Sequence, residues 1–209
     1  MLKQYLSIKE QYPDAILFYR MGDFYEMFFE DAHLASRLLE ITLTSRNKND
    51  ESPVPMCGFP YRAARGYIAR LIHHGHKVAV CDQIEDPAQA KGLVKRDVVR
   101  VITPGMIIEN ELLDERANNY VLAVACKDDF IGIAYLDIST GTFRAAESRD
   151  SAAVFEEIRR VAPSEALLTE SSKNDPFFST IMGVLSEVSI SYLDDKAFEH
   201  KRGYERLTG

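Results

Sequence analysis

The stretch Leu17-Phe-Tyr-Arg-Met-Gly-Asp-Phe-Tyr-Glu-Met-Phe-Phe29 decides how the front of the chain is read. Its odd positions, Leu17, Tyr19, Met21, Asp23, Tyr25, Met27 and Phe29, form a nearly continuous apolar set, while the even ones are Phe18, Arg20, Gly22, Phe24, Glu26 and Phe28. A period of two is the mark of a strand, in which successive side chains leave opposite faces of the backbone. Read as a strand, the odd face is buried, and Phe24 and Glu26 point elsewhere, about 6.5 to 7 Å apart on one face. Gly22 shares that face and has no side chain to block close approach. An aromatic ring beside a carboxylate on an accessible backbone can wedge between bases and hydrogen-bond a base edge. The pattern by itself leans toward a blander reading, with Phe24 in a second core layer and Glu26 solvated. A turn at Gly22-Asp23 would also shift the register.

Outward from this stretch, Leu2 to Gln11 spaces Leu2, Tyr5, Leu6 and Ile8 as a short amphipathic helix stopped by Pro13. Asp31 to Leu39 has helical periodicity and runs into Ile41 to Thr44, a β-branched strand, followed by a polar loop from Ser45 to Pro55. Tyr61 to His74 is a helix closed at Gly75, Lys77 to Cys81 a strand, Asp86-Pro87 an N-cap with proline at the first helical position, and Val98 to Ile102 a strand closed by Pro104-Gly105. The first domain is therefore mixed α and β. Glu109 to Asn119 is charged and polar, and the domain boundary is expected there. Beyond it, Tyr120 to Ala125, Ile131 to Ile138 and Thr142 to Ala146 form a three-stranded meander. Helices over Ser151 to Val161 and Phe177 to Leu185 then alternate with strands over Ala166 to Leu168 and Val188 to Leu193. That succession describes a ribonuclease-H-like sheet. The closing residues Lys201 to Gly209 carry no terminating signal, as expected of a piece of a longer polypeptide.

Composition sets outer limits. With 209 residues, 46% of them hydrophobic, the chain can bury a core in one or two domains. Cys57, Cys81 and Cys126 are odd in number and widely spaced, which argues against a disulfide framework or a zinc site and fits a reducing cytosol. No apolar run has the length of a signal peptide core or a membrane span. The net charge of −7 argues against a nucleic-acid surface until its distribution is seen. Residues 1–110 hold 14 Lys/Arg and 14 Asp/Glu, so the whole imbalance sits in residues 111–209, with 11 against 18. Residues 46–100 carry ten Lys/Arg against six Asp/Glu, with His73, His74 and His76 nearby, which allows a local basic surface or a solvated mixed-charge face.

Other chemistries have weaker support. Asp137 in an expected strand, near the turn residues Asp128 and Asp129, is too little for a two-metal nuclease. His73, His74, His76 and Cys81 match no standard metal spacing, and no GxxxxGK[ST] loop is present. A protein-interaction role suits the acidic second half better than DNA binding does.

The string FYRMGDFYEMF (residues 18–28) closely resembles the first domain of the MutS family of DNA mismatch-recognition proteins. ITLTSR (41–46), PMCGFPYRAARGYIARLI (55–72), KVAVCDQIEDPAQAKGLVKRDVVRVITPG (77–105) and YLDISTGTF (135–143) resemble segments of that family in the same order. The resemblance is close over residues 1–146 and looser beyond. It implies a mixed-sheet α/β mismatch-recognition domain over 1–112 and a ribonuclease-H-like connector over 117–209. Phe24 matches the aromatic that the family inserts from the minor groove, and Glu26 the residue that hydrogen-bonds the displaced base. Arg46 and Arg96 fall where the family has basic residues near DNA, with Met21, Asp23 and Pro55 expected along the same surface. The resemblance further implies no catalytic site here, with ATP and Mg2+ belonging to regions outside this chain. A MutL-type protein contacting the connector, a bacterial cytoplasmic location and a dimer built mainly by other regions are also implied, so this piece is expected to be a monomer with poor DNA affinity alone.

Overall fold

Leu17 to Phe29 folds as a hairpin. Strand β1 (Ala15–Met21) and strand β2 (Phe24–Phe28) run antiparallel, with Met21 opposite Phe24 and Tyr19 opposite Glu26. The two-residue loop Gly22-Asp23 joins them, and Gly22 has φ 57, a left-handed conformation that glycine adopts without a Cβ penalty. This corrects the single-strand reading. Because a two-residue loop reverses the alternation, Leu17, Tyr19 and Met21 share a face with Phe24, Glu26 and Phe28, and Tyr25 and Met27 move to the other face with Phe18. Both faces of this hairpin carry apolar residues, and both are covered over most of their length, with Phe24 left exposed.

The structure, a computed structural model, describes residues 1–46, 52–85, 92–106 and 118–208, and its contacts divide into Met1–Thr103 and Pro104–Gly209. In the first unit, helix α1 (Leu2–Lys9) precedes the hairpin and helix α2 (Phe29–Leu39) follows it. Next come β3 (Thr44–Arg46), β4 (Val54–Pro60), α3 (Ala64–His73), β5 (Lys77–Gln83) and β6 (Arg96–Ile102). They build a six-stranded sheet in the order β3-β4-β2-β1-β5-β6, with β1 and β5 parallel and the other neighbours antiparallel. The β-branched run begins pairing at Thr44, so Ile41 to Leu43 connect α2 to the sheet and are not strand, contrary to the sequence expectation. The proposed N-cap at Asp86-Pro87 and the expected boundary stretch Glu109 to Asn119, except its last two residues, lie outside the described residues.

On one face, Phe18, Tyr25 and Phe59 pack with Tyr67 of α3, and Phe59 lies 5.0 Å from Phe18 and 4.3 Å from Tyr67, centre to centre. On the other, α1 lays Tyr5 and Ile8 over Leu17, Tyr19, Phe28, Ala79 and Cys81. The buried Asp31 carboxylate anchors α1 there, since it accepts from the Tyr5 hydroxyl (3.0 Å), the Lys9 ammonium (2.9 Å) and the Leu17 amide (3.0 Å). A buried carboxylate is tolerable only when so compensated.

The second unit opens with the meander β7 (Tyr120–Lys127), β8 (Phe130–Asp137) and β9 (Thr142–Ser148). It continues through α4 (Ser151–Val161), β10 (Glu165–Thr169), α5 (Pro176–Val184), β11 (Ser189–Leu193) and α6 (His200–Thr208). Strand order is β11-β10-β7-β8-β9, with β10 parallel to both its neighbours, which is the order expected of a ribonuclease-H-like sheet. Asp150 and Asp175 cap α4 and α5 by accepting from the Ala152 and Phe177 amides.

The hairpin loop generates a test. Gly22→Val forces a β-branched residue to φ 57 and is expected to destabilise the first unit by about 1 to 2 kcal/mol, whereas Gly22→Asn costs less. Urea unfolding followed by tyrosine near-UV dichroism measures both.

Candidate nucleic-acid interface

Helix α1 is short, and it covers only the part of its sheet face that carries Leu17, Tyr19 and Phe28. The same face continues through Met21, Phe24 and Glu26 to Val54, Met56, Gly58 and Pro60, as the cross-strand pairs Phe24 with Pro60, Glu26 with Gly58 and Phe28 with Met56 require. Phe24 is 45% exposed, against 6% for Tyr25 and 0% for Phe28 on the same strand. Tyr25 and Phe28 each pack against another ring, while no ring pair among the described residues involves Phe24. An exposed phenylalanine at a strand end, between Met21 and Pro60, contributes little to this core.

The loop that presents Phe24 is braced from both sides. The Tyr61 amide donates to the Asp23 carbonyl (2.9 Å), and Arg20 Nε donates to the Gly22 carbonyl. The Arg20 guanidinium stacks 3.6 Å from the centre of the Tyr61 ring and lies 3.9 Å from Asp82, which also accepts from the Tyr25 hydroxyl (2.9 Å). Held at both carbonyls, the loop offers the ring on a stiff support.

Glu26 is half-buried, and loss of water raises its pKa, while Arg46 and then Arg96 lower it. Arg46 Nη1 lies 3.4 Å from Glu26 Oε2. Arg46 stands opposite Val54 and Glu26 opposite Gly58, so the two side chains meet diagonally across β4. Gly58 keeps that route open. A Cβ there would come within 2.8 Å of the Tyr25 carbonyl oxygen and 3.4 Å of Glu26 Cγ.

Phe24, Glu26, Met21 and Arg46 are thus brought together on one face, and exposed Asp23 sits in the adjoining loop. Two expected members are placed otherwise. Pro55 pairs with Ser45 and alternates to the α2 side with Cys57, away from Phe24. Arg96 is 7% exposed. It donates to the Arg20 carbonyl, to Gln4 of α1 (3.2 Å) and to the Val94 carbonyl (2.8 Å), and its guanidinium lies 5.0 Å from the Tyr19 ring centre. A guanidinium committed in this way ties β6 to β1 and acts on Glu26 through its field, without an open face for phosphate. Sequence reasoning missed Arg20, Gly58 and Tyr61. Only Gly58 carried a signal, as an isolated glycine inside a strand pattern.

Asp137 and Cys81 have structural places. Asp137, wholly buried, accepts from the Ser139 amide (2.9 Å), the Ser139 hydroxyl and the Thr140 amide, and caps the β8–β9 turn. Its Oδ2 has no partner among the described residues. Cys81 is buried under α1, and burial pushes its thiol up to about 12. No group of three His, Cys, Asp or Glu among the described residues is arranged to hold a metal ion, and no helix there is long and apolar enough to cross a membrane.

Comparison with known proteins adds a family to this geometry. The model of MutS domain I matches residues 1–111 and that of MutS domain II matches residues 119–208. A DNA mismatch repair protein MutS of Desulfosudis oleivorans is 57% identical over 208 residues, covering 100% of this chain and 24% of the relative. Those of Desulfatibacillum aliphaticivorans (51%, covering 99% of this chain and 23% of the relative) and Symbiobacterium thermophilum (49%, covering 100% and 24%) are similarly alike. The chain spans about a quarter of the length of these relatives.

If the Phe24 ring is presented and not packed, Phe24→Ala changes the unfolding free energy by less than about 1 kcal/mol, whereas Phe28→Ala costs about 3 to 5 kcal/mol. Parallel urea titrations of the two variants decide it, and a Phe24→Ala loss matching that of Phe28→Ala would return Phe24 to the core.

Proposed function

The chain belongs to the MutS family through both of its units, and from that premise we propose that its first unit senses mismatched or bulged duplex DNA by inserting the Phe24 ring from the minor groove. Glu26 then hydrogen-bonds the base the ring displaces. The observation that carries this reading is a 45% exposed phenylalanine on a loop braced by Arg20 and Tyr61, in a strand pair whose other rings are buried.

The physics gives selectivity without sequence readout. Opening a base step costs a few kcal/mol, and less where pairing is already defective. Stacking a base on an aromatic side chain returns about 1 to 3 kcal/mol. The two nearly cancel at a sound step, so a kinked complex is favoured where the duplex is weak. Ionised, Glu26 accepts from a base N–H such as that of thymine. Protonated, it donates to a purine nitrogen, and its partial burial already leans that way. Arg46 supplies positive charge beside Glu26, Met21 an apolar flank to the ring and Asp23 the loop edge. Arg96 and Pro55 stand behind that surface.

The second unit is assigned the connector role, relaying state toward ATPase regions of the family and contacting a MutL-type partner. Its excess of acidic residues suits a protein surface better than a phosphate backbone. The sequence has no GxxxxGK[ST] loop, so ATP and Mg2+ are assigned to the family's other regions, as is dimerisation.

Fluorescence anisotropy at low salt tests the wedge, using a G·T-containing duplex and its matched control with the chain and its Phe24→Ala variant. A preference for the mismatch that disappears with the ring is the expected result. Intact preference without the ring contradicts the assignment.

A further inference from the structure

Glu26 and Arg46 face one another across β4, yet the proposed function asks both to face DNA. The Arg46 guanidinium reaches back over the sheet to Glu26 Oε2, 3.4 Å away, with 38% of its side chain exposed against 19% for Glu26. Gly58, opposite Glu26, adds no side chain beside the carboxylate. Among the described residues, the other charged or titratable groups around Glu26 do not replace Arg46. From β1, the cross-strand Tyr19 presents a phenol whose pKa burial raises. From β5, Cys81 lies on the same face with its thiol up at about 12. From β6, Arg96 is held by three hydrogen bonds to Arg20, Gln4 and Val94. Helix α1 contributes Gln4, which carries no charge. Arg46 is therefore the cation that touches this carboxylate and also has solvent-facing surface.

We propose that Glu26 and Arg46 form a latch in which the carboxylate holds the guanidinium across β4 in the free chain, and a duplex opened by Phe24 exchanges Arg46 from Glu26 to a phosphate. The inference rests on the wedge reading and adds a role for the pair itself. One partner cannot be fully used while the other holds it. On a sound duplex the base edge stays out of reach, Glu26 keeps Arg46, and one phosphate contact is withheld. Where a base is displaced, the carboxylate turns to that base and the guanidinium, which matches phosphate oxygens in a two-pronged geometry, is released to the backbone. Glu26 then lowers affinity for sound DNA by restraining a neighbouring cation, beyond the direct repulsion between a carboxylate and phosphates. Arg46 is in this scheme a specificity-determining residue.

The two accounts of Glu26 separate in salt dependence. Each phosphate contact adds a slope of about 0.9 to the fall of log affinity with log salt. For the chain itself the slope is expected to be steeper by about 0.9 on a G·T duplex than on the matched one. Glu26→Gln steepens the matched slope to the same extent, and Glu26→Gln combined with Arg46→Gln returns it to the original value. If Glu26→Gln steepens the matched slope equally with and without Arg46, the carboxylate acts by repulsion and the latch is wrong. Carbon NMR of the Glu26 carboxyl in the free chain gives a second reading that needs no DNA. Arg46→Gln removes the counter-ion and is expected to move the Glu26 titration midpoint up. An unmoved midpoint overturns the latch even if the Phe24 ring is required for mismatch preference. Loss of that requirement, seen in the Phe24→Ala anisotropy, strikes instead at the wedge reading on which the latch depends.

Discussion

A two-residue loop can connect antiparallel strands only in a fixed register, and everything at the candidate interface depends on that constraint at Gly22-Asp23. Pairing Met21 with Phe24 sets Tyr19 against Glu26, and with that the face on which each later residue of the strand must stand. Phe28 then falls under Tyr5, and Phe24 falls beyond the reach of a helix only eight residues long. Exposure of the ring is therefore a product of register and helix length together. A shift of one residue would exchange the two faces of the strand and move Phe24 off the face it now shares with Tyr19.

Buried carboxylates show how differently the fold treats Glu26. Asp31 accepts three hydrogen bonds and pins α1 to the sheet. In the second unit Glu165 accepts from the Gly105 amide (3.2 Å) and the Ser191 hydroxyl, and Asp137 caps a turn. Each is an anchor within its own unit. Glu26, with part of its hydration lost, has among the described residues one hydrogen bond, the 3.4 Å contact from Arg46. That leaves it acceptor capacity which the described residues do not use, and a half-buried carboxylate with spare capacity is suited to a ligand that brings its own N–H.

Much of this architecture was legible in the sequence. Period-two and helical spacing located most elements to within a few residues, and the aspartates before Ser151 and Pro176 act as caps. Phe24 and Glu26 stood out because they fell off the apolar odd-numbered face, and the resemblance to a known family gave that placement a meaning. What could not be read was parity. Counting straight through Gly22-Asp23 put Leu17 and Tyr25 on one face, although the loop separates them. The same limit applies to Pro55, whose face depends on pairing with Ser45, and to Arg96, whose charge suggested a surface role while Gln4 and the Arg20 carbonyl draw it inward. Local spacing does not encode which distant backbone atom a long side chain will meet. Arg20 and Tyr61 escaped notice for that reason, since their contact joins positions 41 residues apart in the numbering.

The central claim is that the Phe24 ring enters the base stack, and fluorine NMR of the chain carrying 4-fluorophenylalanine at position 24 observes that ring directly. Titrating in a duplex with one mismatch should move the resonance upfield through stacking with the flanking bases, and the matched duplex should leave it near its free position. Equal shifts on both duplexes, or a resonance that stays put while the mismatched duplex demonstrably binds, would contradict the account.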